Sequence, residues 1–162
     1  MSKISVLMSV YKKENPEYLR ASLESILVQT RTADEILLIE DGPLTQELYQ
    51  VVAEYQKKCD YLHVHAMEQN VQLGRALAKG VELCQYDLIA RMDTDDIAMP
   101  DRLEKEGAYM EAHPEVDVVG GAIREFNDEG TIDRVKNMPK TQEEILEYVK
   151  VRNPLNHMTV MY

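Results

Sequence analysis

The chain of 162 residues has no tryptophan, one phenylalanine and only two cysteines, Cys59 and Cys84. The cysteines form no CxxC pair or other metal-ligand pattern, which argues against a disulfide scaffold and a zinc module. No apolar run approaches the roughly 20 residues that a membrane-spanning helix needs. The apolar start, Ile4–Val10, is too short for a signal peptide and lacks a small-residue cleavage site. These absences predict a cytoplasmic protein.

Basic residues are scarce as well. Lysine and arginine together number 18 against 29 acidic residues, giving a formal net charge of -11. Nucleic-acid binders normally carry a basic surface, so we do not expect a nucleic-acid partner. The GxGxxG, P-loop, HExxH and nucleophile-elbow patterns are also missing. Their absence counts against dinucleotide binding, P-loop NTPase chemistry, zinc proteolysis and α/β-hydrolase chemistry. No linker, repeat or low-complexity segment divides the chain, so residues 1–162 are predicted to form one domain.

Apolar runs that are typical of buried strands alternate with amphipathic segments. The strands are predicted over Ile4–Tyr11, Ile36–Glu40, Leu62–Met67 and Leu88–Met92. Between them, apolar residues recur at helical spacing, as in the segment Leu73–Leu83, whose predicted apolar face carries Leu73, Ala76, Leu77 and Val81. This β-α-β order predicts an α/β fold with a mostly parallel sheet and helices on both of its faces.

The second half of the chain is predicted to add smaller elements. Pro100 is expected to open a helix that runs to about His113, and Val116–Gly120 is expected to form a fifth strand. A hairpin turn is predicted at 127–130, after a strand over Ala122–Phe126. Thr141 is expected to cap a last helix that ends at about Val151.

The densest chemical signal is Asp93-Thr94-Asp95-Asp96, directly after the fourth strand. Three carboxylates in four residues repel one another unless a cation or a basic partner compensates them. Mg²⁺ or Mn²⁺ prefers such oxygen ligands and can neutralise a bound diphosphate. The alternative is a solvated acidic loop that precedes the helix at Pro100.

Asp41 follows the second strand, and its position favours the functional interpretation. Ligands of parallel sheets bind at the carboxyl ends of the strands, so Asp41 and the acidic segment are expected at one rim. An Asx-type turn at Asp41 is the alternative. Arg75 and Lys79 lie four residues apart on one helical face, where they either meet phosphate groups or form a solvated basic surface.

Together these segments resemble the amino-terminal part of family 2 glycosyltransferases, which have the nucleotide-sugar-binding GT-A fold. The acidic segment is the most specific sign of this family, because the match continues beyond DTDD through Ile97 and Met99–Leu103. The likeness runs nearly end to end and rests on ISVLMSVY, EILLIEDG, the helix of Asn70–Gly80, LIARMDTDDIAMPDRLEKE and NPLNHMTVMY.

The resemblance implies a role for each matching residue. Asp41 corresponds to the acid that contacts uracil or a similar base. Asp93 and Asp95 form the DxD motif, in which Asp95 coordinates the metal directly and Asp93 lies nearer the ribose or behind the direct ligands. Asp96 orients the metal site or contacts the sugar. The other donor-contacting positions implied are Ser9, Val10 and Tyr11 around the base, Thr94 within the motif, and Arg75 near the nucleotide.

The implied activity is a metal-dependent, inverting transfer of a sugar from a nucleoside-diphosphate donor, with a UDP-sugar favoured. The acceptor would be a glycan or a lipid-linked molecule in cell-surface polysaccharide biosynthesis. The catalytic base of such enzymes is an acidic residue that would follow Tyr162, so we expect an incomplete domain that binds donor without efficient turnover. A homodimer and a peripheral contact of the full-length protein with the inner membrane face are further expectations.

One residue departs from the family pattern. Gln72 stands where many relatives have glycine in an Asn-x-Gly-Leu motif, so we expect the tight turn to be lost and donor preference to change. Two other functions remain open at this point. One is a haloacid-dehalogenase-like phosphatase using Asp93 and Asp95, although Ile97 stands where that class prefers threonine or valine. The other is a non-catalytic binding module.

Overall fold

A computed structural model describes residues 1–127 and 132–162 of the chain. The strands and helices alternate through the first two thirds of the chain and become shorter thereafter. Their bounds are β1 Ile4–Val10, α1 Pro16–Leu27, β2 Glu35–Glu40, α2 Gln46–Lys58, β3 Leu62–Ala66, α3 Leu73–Leu83, β4 Leu88–Asp93, α4 Arg102–Ala112, β5 Ile123–Phe126, β6 Ile132–Lys136 and α5 Gln142–Tyr148, followed by a 3₁₀ helix over His157–Thr159.

The central sheet has four parallel strands in the order β3-β2-β1-β4. In the register, Val10 pairs with Glu40 of β2, and Ser9 pairs with Asp93 of β4. The carboxyl ends of β1, β2 and β4 therefore meet at one rim, as predicted. All four strands predicted in this part of the chain are confirmed to within one residue at either end.

Helices cover both faces of this sheet, which confirms the predicted α/β architecture. Val6 and Met8 of β1 belong to the larger core, which α1 and α2 close with Leu23, Val51 and other buried residues. Leu7, between them, points to the opposite face, since successive side chains of a strand alternate. There it joins a smaller core with Ala76 of α3.

The apolar face predicted for α3 is partly wrong. Leu73 and Val81 are exposed, whereas Ala76 and Gly80 are buried. Gly80 packs so closely on Leu7 that a Cβ at this position would lie 2.3 Å from Leu7 Cδ1. The side of α3 with the smallest residues packs on the sheet, because small side chains allow the helix to approach the strands closely.

Local signals account for the helix starts. Asn15 caps α1 by accepting a hydrogen bond from the Glu17 amide, with Pro16 as the first helical residue. Thr141 forms a capping box with Glu144 at the start of α5, as expected. Helix α4 begins at Arg102 rather than Pro100, and α5 ends at Tyr148 rather than at about Val151.

The fifth strand predicted over Val116–Gly120 is wrong. Only Val119 makes a bridge there, to Met161, because Asp117 interrupts the run and most of it is exposed. Met161 also bridges Ala90, so the segment 160–162 lies antiparallel beside β4. We call 160–162 the return segment. Met161 is fully buried, which explains the apolar composition of this part of the chain.

Strands β5 and β6 pair antiparallel and confirm the predicted hairpin, with Arg124 opposite Val135. The turn predicted at 127–130 lies, apart from Asn127, outside the described residues. No helix in the described part of the chain is both long enough and apolar enough to cross a membrane.

Candidate functional site

A cleft of about 430 Å³ opens where β1, β2 and β4 end at the rim of the sheet. Six of the residues predicted from the sequence line it: Ser9, Tyr11, Asp41, Asp93, Thr94 and Asp95. The cleft also contains four residues that were not predicted as contacts: Glu14, Asn70, Gln72 and Leu73. The topology thus brings most of the predicted site together from distant parts of the chain.

Three predicted residues lie elsewhere. Val10 has no exposed surface and belongs to the larger core, so its side chain does not line the cleft. Arg75 is exposed in the first turn of α3, outside the cleft lining. Asp96 is half-buried beside Asp93 and Asp95 without lining the cleft itself.

The acidic cluster comprises Asp93, Asp95 and Asp96. Each offers a carboxylate oxygen within 4.8 Å of the others, and Asp95 is the exposed member. Burial raises the pKa of Asp96 to about 6, with a further contribution from the neighbouring charges of Asp93 and Asp95. Three oxygen donors at this separation fit a hard divalent cation such as Mg²⁺ or Mn²⁺.

Asp93 is more constrained than Asp95. The Arg91 guanidinium forms an ion pair with one of its carboxylate oxygens, and His157 Nε2 lies 3.8 Å from the other. Arg91 is buried, and two of its nitrogens, Nε and Nη1, have no partner among the described residues. Asp95 makes no hydrogen bond or ion pair in the described part of the chain, so its carboxylate is the more available ligand.

Two hydroxyl groups fix the backbone of the acidic cluster. Ser22 of α1 donates a hydrogen bond of 2.8 Å to the carbonyl of Asp93. Thr94, which is buried, donates one of 2.6 Å to Glu14 Oε2. The cluster is therefore tied to α1 and to the loop that precedes it.

Asp41 occupies the other end of the cleft and is only 4% exposed. Its carboxylate accepts hydrogen bonds from the Val71 amide at 2.6 Å and from Asn70 Nδ2 at 2.9 Å. Gly42 has φ +83°, and a Cβ there would lie 2.5 Å from the Asn70 nitrogen. The loop before α3 is thus clamped against the end of β2, rather than Asp41 closing a turn on its own following residues.

Gln72 completes this clamped loop. It has φ +73° and ψ 152°, a region that only glycine adopts without strain. The tight turn is therefore retained, contrary to the expectation that glutamine would abolish it. The Gln72 carbonyl accepts hydrogen bonds from the amides of Arg75 and Ala76, which start the helix.

Sequence reasoning missed Glu14 because its partner, Thr94, is far away in the chain. It also left Arg91 and His157 outside the predicted site. Arg91 has a local signal, since it lies two residues before Asp93 and so on the same face of β4. His157 has no such signal, because only the return segment beside β4 brings it to Asp93.

The family model for glycosyl transferase family 2 matches residues 5–161. The chain therefore belongs to this family. An uncharacterized glycosyltransferase of Haemophilus influenzae is 48% identical over 99% of this chain and 60% of its own length. The amylovoran biosynthesis glycosyltransferase AmsE of Erwinia amylovora is 44% identical over 98% of this chain and 59% of its own.

A third relative is the UDP-Gal:alpha-D-GlcNAc-diphosphoundecaprenol beta-1,3-galactosyltransferase of Escherichia coli, 35% identical over 99% of this chain and 58% of its own. The chain thus spans about 60% of the length of these curated relatives.

Solved structures confirm the GT-A fold. S. aureus TarS 1-349 in complex with UDP-GlcNAc aligns with a TM-score of 0.69 and 22% identity, over 85% of this chain and 37% of that one. The mannosyltransferase PcManGT from Pyrobaculum calidifontis, in complex with GDP-Man and Mn²⁺, aligns with a TM-score of 0.67 and 16% identity, over 76% and 36%.

Proposed function

We propose that this chain is the donor-binding part of an inverting glycosyltransferase that uses a nucleoside-diphosphate sugar, with a UDP-sugar as the favoured donor. One observation carries the proposal. The acidic cluster and the Asp41 clamp, which come from distant parts of the chain, form the two ends of a single cleft. Its volume lies within the range of about 300–1,000 Å³ that is usual for small-molecule sites.

The charge of the cleft indicates how a diphosphate would be held. Among the residues that line the cleft, the charged ones are Glu14, Asp41, Asp93 and Asp95, all acidic. A diphosphate is repelled by such a surface unless a cation lies between them. Mn²⁺ or Mg²⁺ held by Asp95, with Asp93 and Asp96 beside it, would supply that charge and neutralise the departing diphosphate.

The nucleoside then lies towards the other end of the cleft. Tyr11 and Ser9 at the end of β1 would form the wall around the base. The Asp41 carboxylate accepts two hydrogen bonds from its own chain, but a carboxylate has about four acceptor positions and can still meet a base or ribose. Arg75, exposed in the first turn of α3 outside the cleft lining, would meet the nucleotide only if the donor extends beyond the cleft.

The acceptor and the catalytic base belong to the wider proposal. An acidic residue in the part of the relatives that lies beyond this match would deprotonate the acceptor hydroxyl. One relative is named for a diphosphoundecaprenol acceptor and another for amylovoran biosynthesis. By analogy we propose a lipid-linked or glycan acceptor in polysaccharide biosynthesis, at the cytoplasmic face of the membrane. A homodimer also stays a prediction.

Of the two alternatives, the phosphatase loses its support because the chain belongs to another family. Asp93 also has its carboxylate paired with Arg91, which is a poor state for a nucleophile. The binding module differs from the present proposal only in the fate of the donor, since both interpretations bind a ligand in the same cleft.

Calorimetric titration of UDP, with and without Mn²⁺, tests the proposal. We expect binding that depends on the metal and that Asp95→Ala weakens by at least about 100-fold, the loss of one charged ligand group. Asp60→Ala is the matched control, because Asp60 is exposed just before β3, at the opposite edge of the sheet. Metal-independent binding, or equal losses in the two variants, would contradict the proposal.

A further inference from the structure

The backbone of Gln72 is the most unusual in the described chain. Among the non-glycine residues of 1–127 and 132–162, it alone has a positive φ. With ψ at 152°, the residue lies in a region where a Cβ is unfavourable. Such strain persists only where the surrounding structure imposes it, and it concentrates at functional sites.

The neighbours of Gln72 impose this conformation from both sides. Before it, Asp41 holds the Asn70 side chain and the Val71 amide, and Gly42 packs against the Asn70 backbone. After it, the Gln72 carbonyl accepts the first hydrogen bonds of α3. Glycine would satisfy this geometry without strain. The clamp explains how glutamine is tolerated, but not what its side chain contributes.

The Gln72 side chain makes no structural contact by hydrogen bonding within the described part of the chain. Gln72 is exposed, lines the cleft and makes no side-chain hydrogen bond to any described residue. Its carboxamide offers both a donor and an acceptor. The Asp41 end and the acidic end of the cleft follow β2 and β4, which are separated by β1 and so lie roughly 10 Å apart. Gln72 directly follows Asn70 and Val71, which Asp41 holds, so its backbone lies at the nucleoside end of the cleft.

We propose that Gln72 is a specificity-determining residue whose carboxamide hydrogen-bonds the edge of the donor's nucleobase. The edge of uracil presents an N–H between two carbonyl groups, and a carboxamide can pair with one such donor and acceptor together. Leu73, partly exposed beside it, provides an apolar surface for the ring. This inference rests on the proposed function, since it assigns a partner to one end of the same cleft.

The test compares the wild-type chain with Gln72→Gly, using UDP, N3-methyl-UDP and 2′-deoxy-UDP in the presence of Mn²⁺. We expect Gln72→Gly to raise the melting temperature by several degrees, since it removes strain. The same change is expected to weaken UDP binding by about tenfold, the contribution of one to two hydrogen bonds. N3-methyl-UDP should bind both proteins equally, because the methyl group removes the contacted N–H and blocks the approach of the carboxamide to the adjacent carbonyl.

Gln56→Gly is the matched control. Gln56 is exposed within α2, where glycine is unfavourable, so this variant should lower the melting temperature and leave UDP affinity unchanged. The assignment of Gln72 is overturned, and the donor cleft stands, if Gln72→Gly binds UDP as tightly as the wild type does. It is also overturned if the loss is the same for N3-methyl-UDP, or if it disappears only with 2′-deoxy-UDP, which would place the amide on the ribose. Absence of UDP binding by the wild type would refute the proposed function itself.

Discussion

The two ends of the cleft are both acidic, yet their carboxylates are held in opposite ways. Asp41 is buried and accepts hydrogen bonds from Asn70 and Val71. Asp95 is exposed and has no partner in the described residues, and its neighbour Asp96 has a raised pKa. One end uses a carboxylate to shape the loop, and the other leaves the Asp95 carboxylate without a partner among the described residues, beside an Asp93 that is paired with Arg91. The partners of an acid, more than its place at a strand end, therefore indicate its role.

Replacing the acid at each end of the cleft by alanine should give the largest difference in stability. Asp41→Ala should lower the free energy of unfolding by about 3 kcal/mol, because it leaves the Val71 N–H without its partner and removes the bond from Asn70 to the carboxylate, while the Asp41 carbonyl still accepts from Asn70. Asp95→Ala should leave stability unchanged or slightly higher, since it removes charge repulsion. Urea denaturation of both variants measures the difference. Equal destabilisation by the two substitutions would break the comparison.

Gly42→Ala should disturb the backbone at the Asp41 end of the cleft and lower the free energy of unfolding by about 3 kcal/mol. The added Cβ would meet the Asn70 nitrogen at 2.5 Å, and alanine is strained at φ +83°. Because the loop also carries Gln72, nucleotide affinity should fall with stability, which thermal denaturation and titration can follow in parallel. Gly74→Ala is the control, as a Cβ there meets nothing within 4 Å. If both alanines behave alike, close packing at Gly42 is not the cause.

Glu106 on α4 tests whether one ion-pair partner is enough to keep a buried carboxyl group ionised. Burial raises its pKa to about 7, although Arg102 Nε donates to both carboxylate oxygens at 3.1 Å and opposes the shift. The folded chain therefore keeps a proton that the unfolded chain loses near its ordinary pKa of 4.5. Stability contributed by this group is complete at low pH and is lost as the pH rises towards about 7.

Between about pH 5 and pH 8 this loss amounts to about 2 kcal/mol, at roughly 1.4 kcal/mol for each pKa unit. In Glu106→Gln the corresponding fall should disappear, because the amide does not titrate. Denaturation midpoints of the two proteins across this pH range give the difference directly. A difference that does not change with pH would show that Arg102 alone keeps Glu106 ionised.

The smallest effect is expected at the hydrogen bond between Thr94 and Glu14, which joins the acidic cluster to the loop before α1. Thr94→Val should cost about 1 kcal/mol of stability, the usual contribution of one such bond. A double-mutant cycle with Glu14→Gln separates this contact from unrelated effects of either change. A coupling energy near zero would mean that the bond contributes nothing to holding the cluster.

The sequence allowed the parallel sheet to be predicted because its signals are local. Alternation and apolar runs place β1 to β4, and the order of elements restricts the topology. The acidic cluster was found for the same reason, since its three acids are adjacent. What could not be predicted depends on contacts between distant segments. The Asp41 clamp joins residues about 30 positions apart, and the partner of Glu14 is 80 positions away.

Side-chain direction limited the remaining predictions. Val10 was grouped with Ser9 and Tyr11, but the pleat turns it into the core while its neighbours line the cleft. The run Val116–Gly120 was given a strand that the structure lacks, since only Val119 finds a partner. Its partner, Met161, is the buried centre of the return segment.

The return segment also has a consequence for how the chain folds. It pairs antiparallel with β4 at the edge of the otherwise parallel central sheet, and these two paired segments are separated in sequence by α4, the hairpin and α5. Contacts between such distant segments form late, because a long loop must close first. During synthesis, β4 therefore emerges from the ribosome well before the segment that covers its edge. Until that segment arrives, an apolar strand edge is open to pairing with other nascent chains, which makes this stage the most exposed to aggregation.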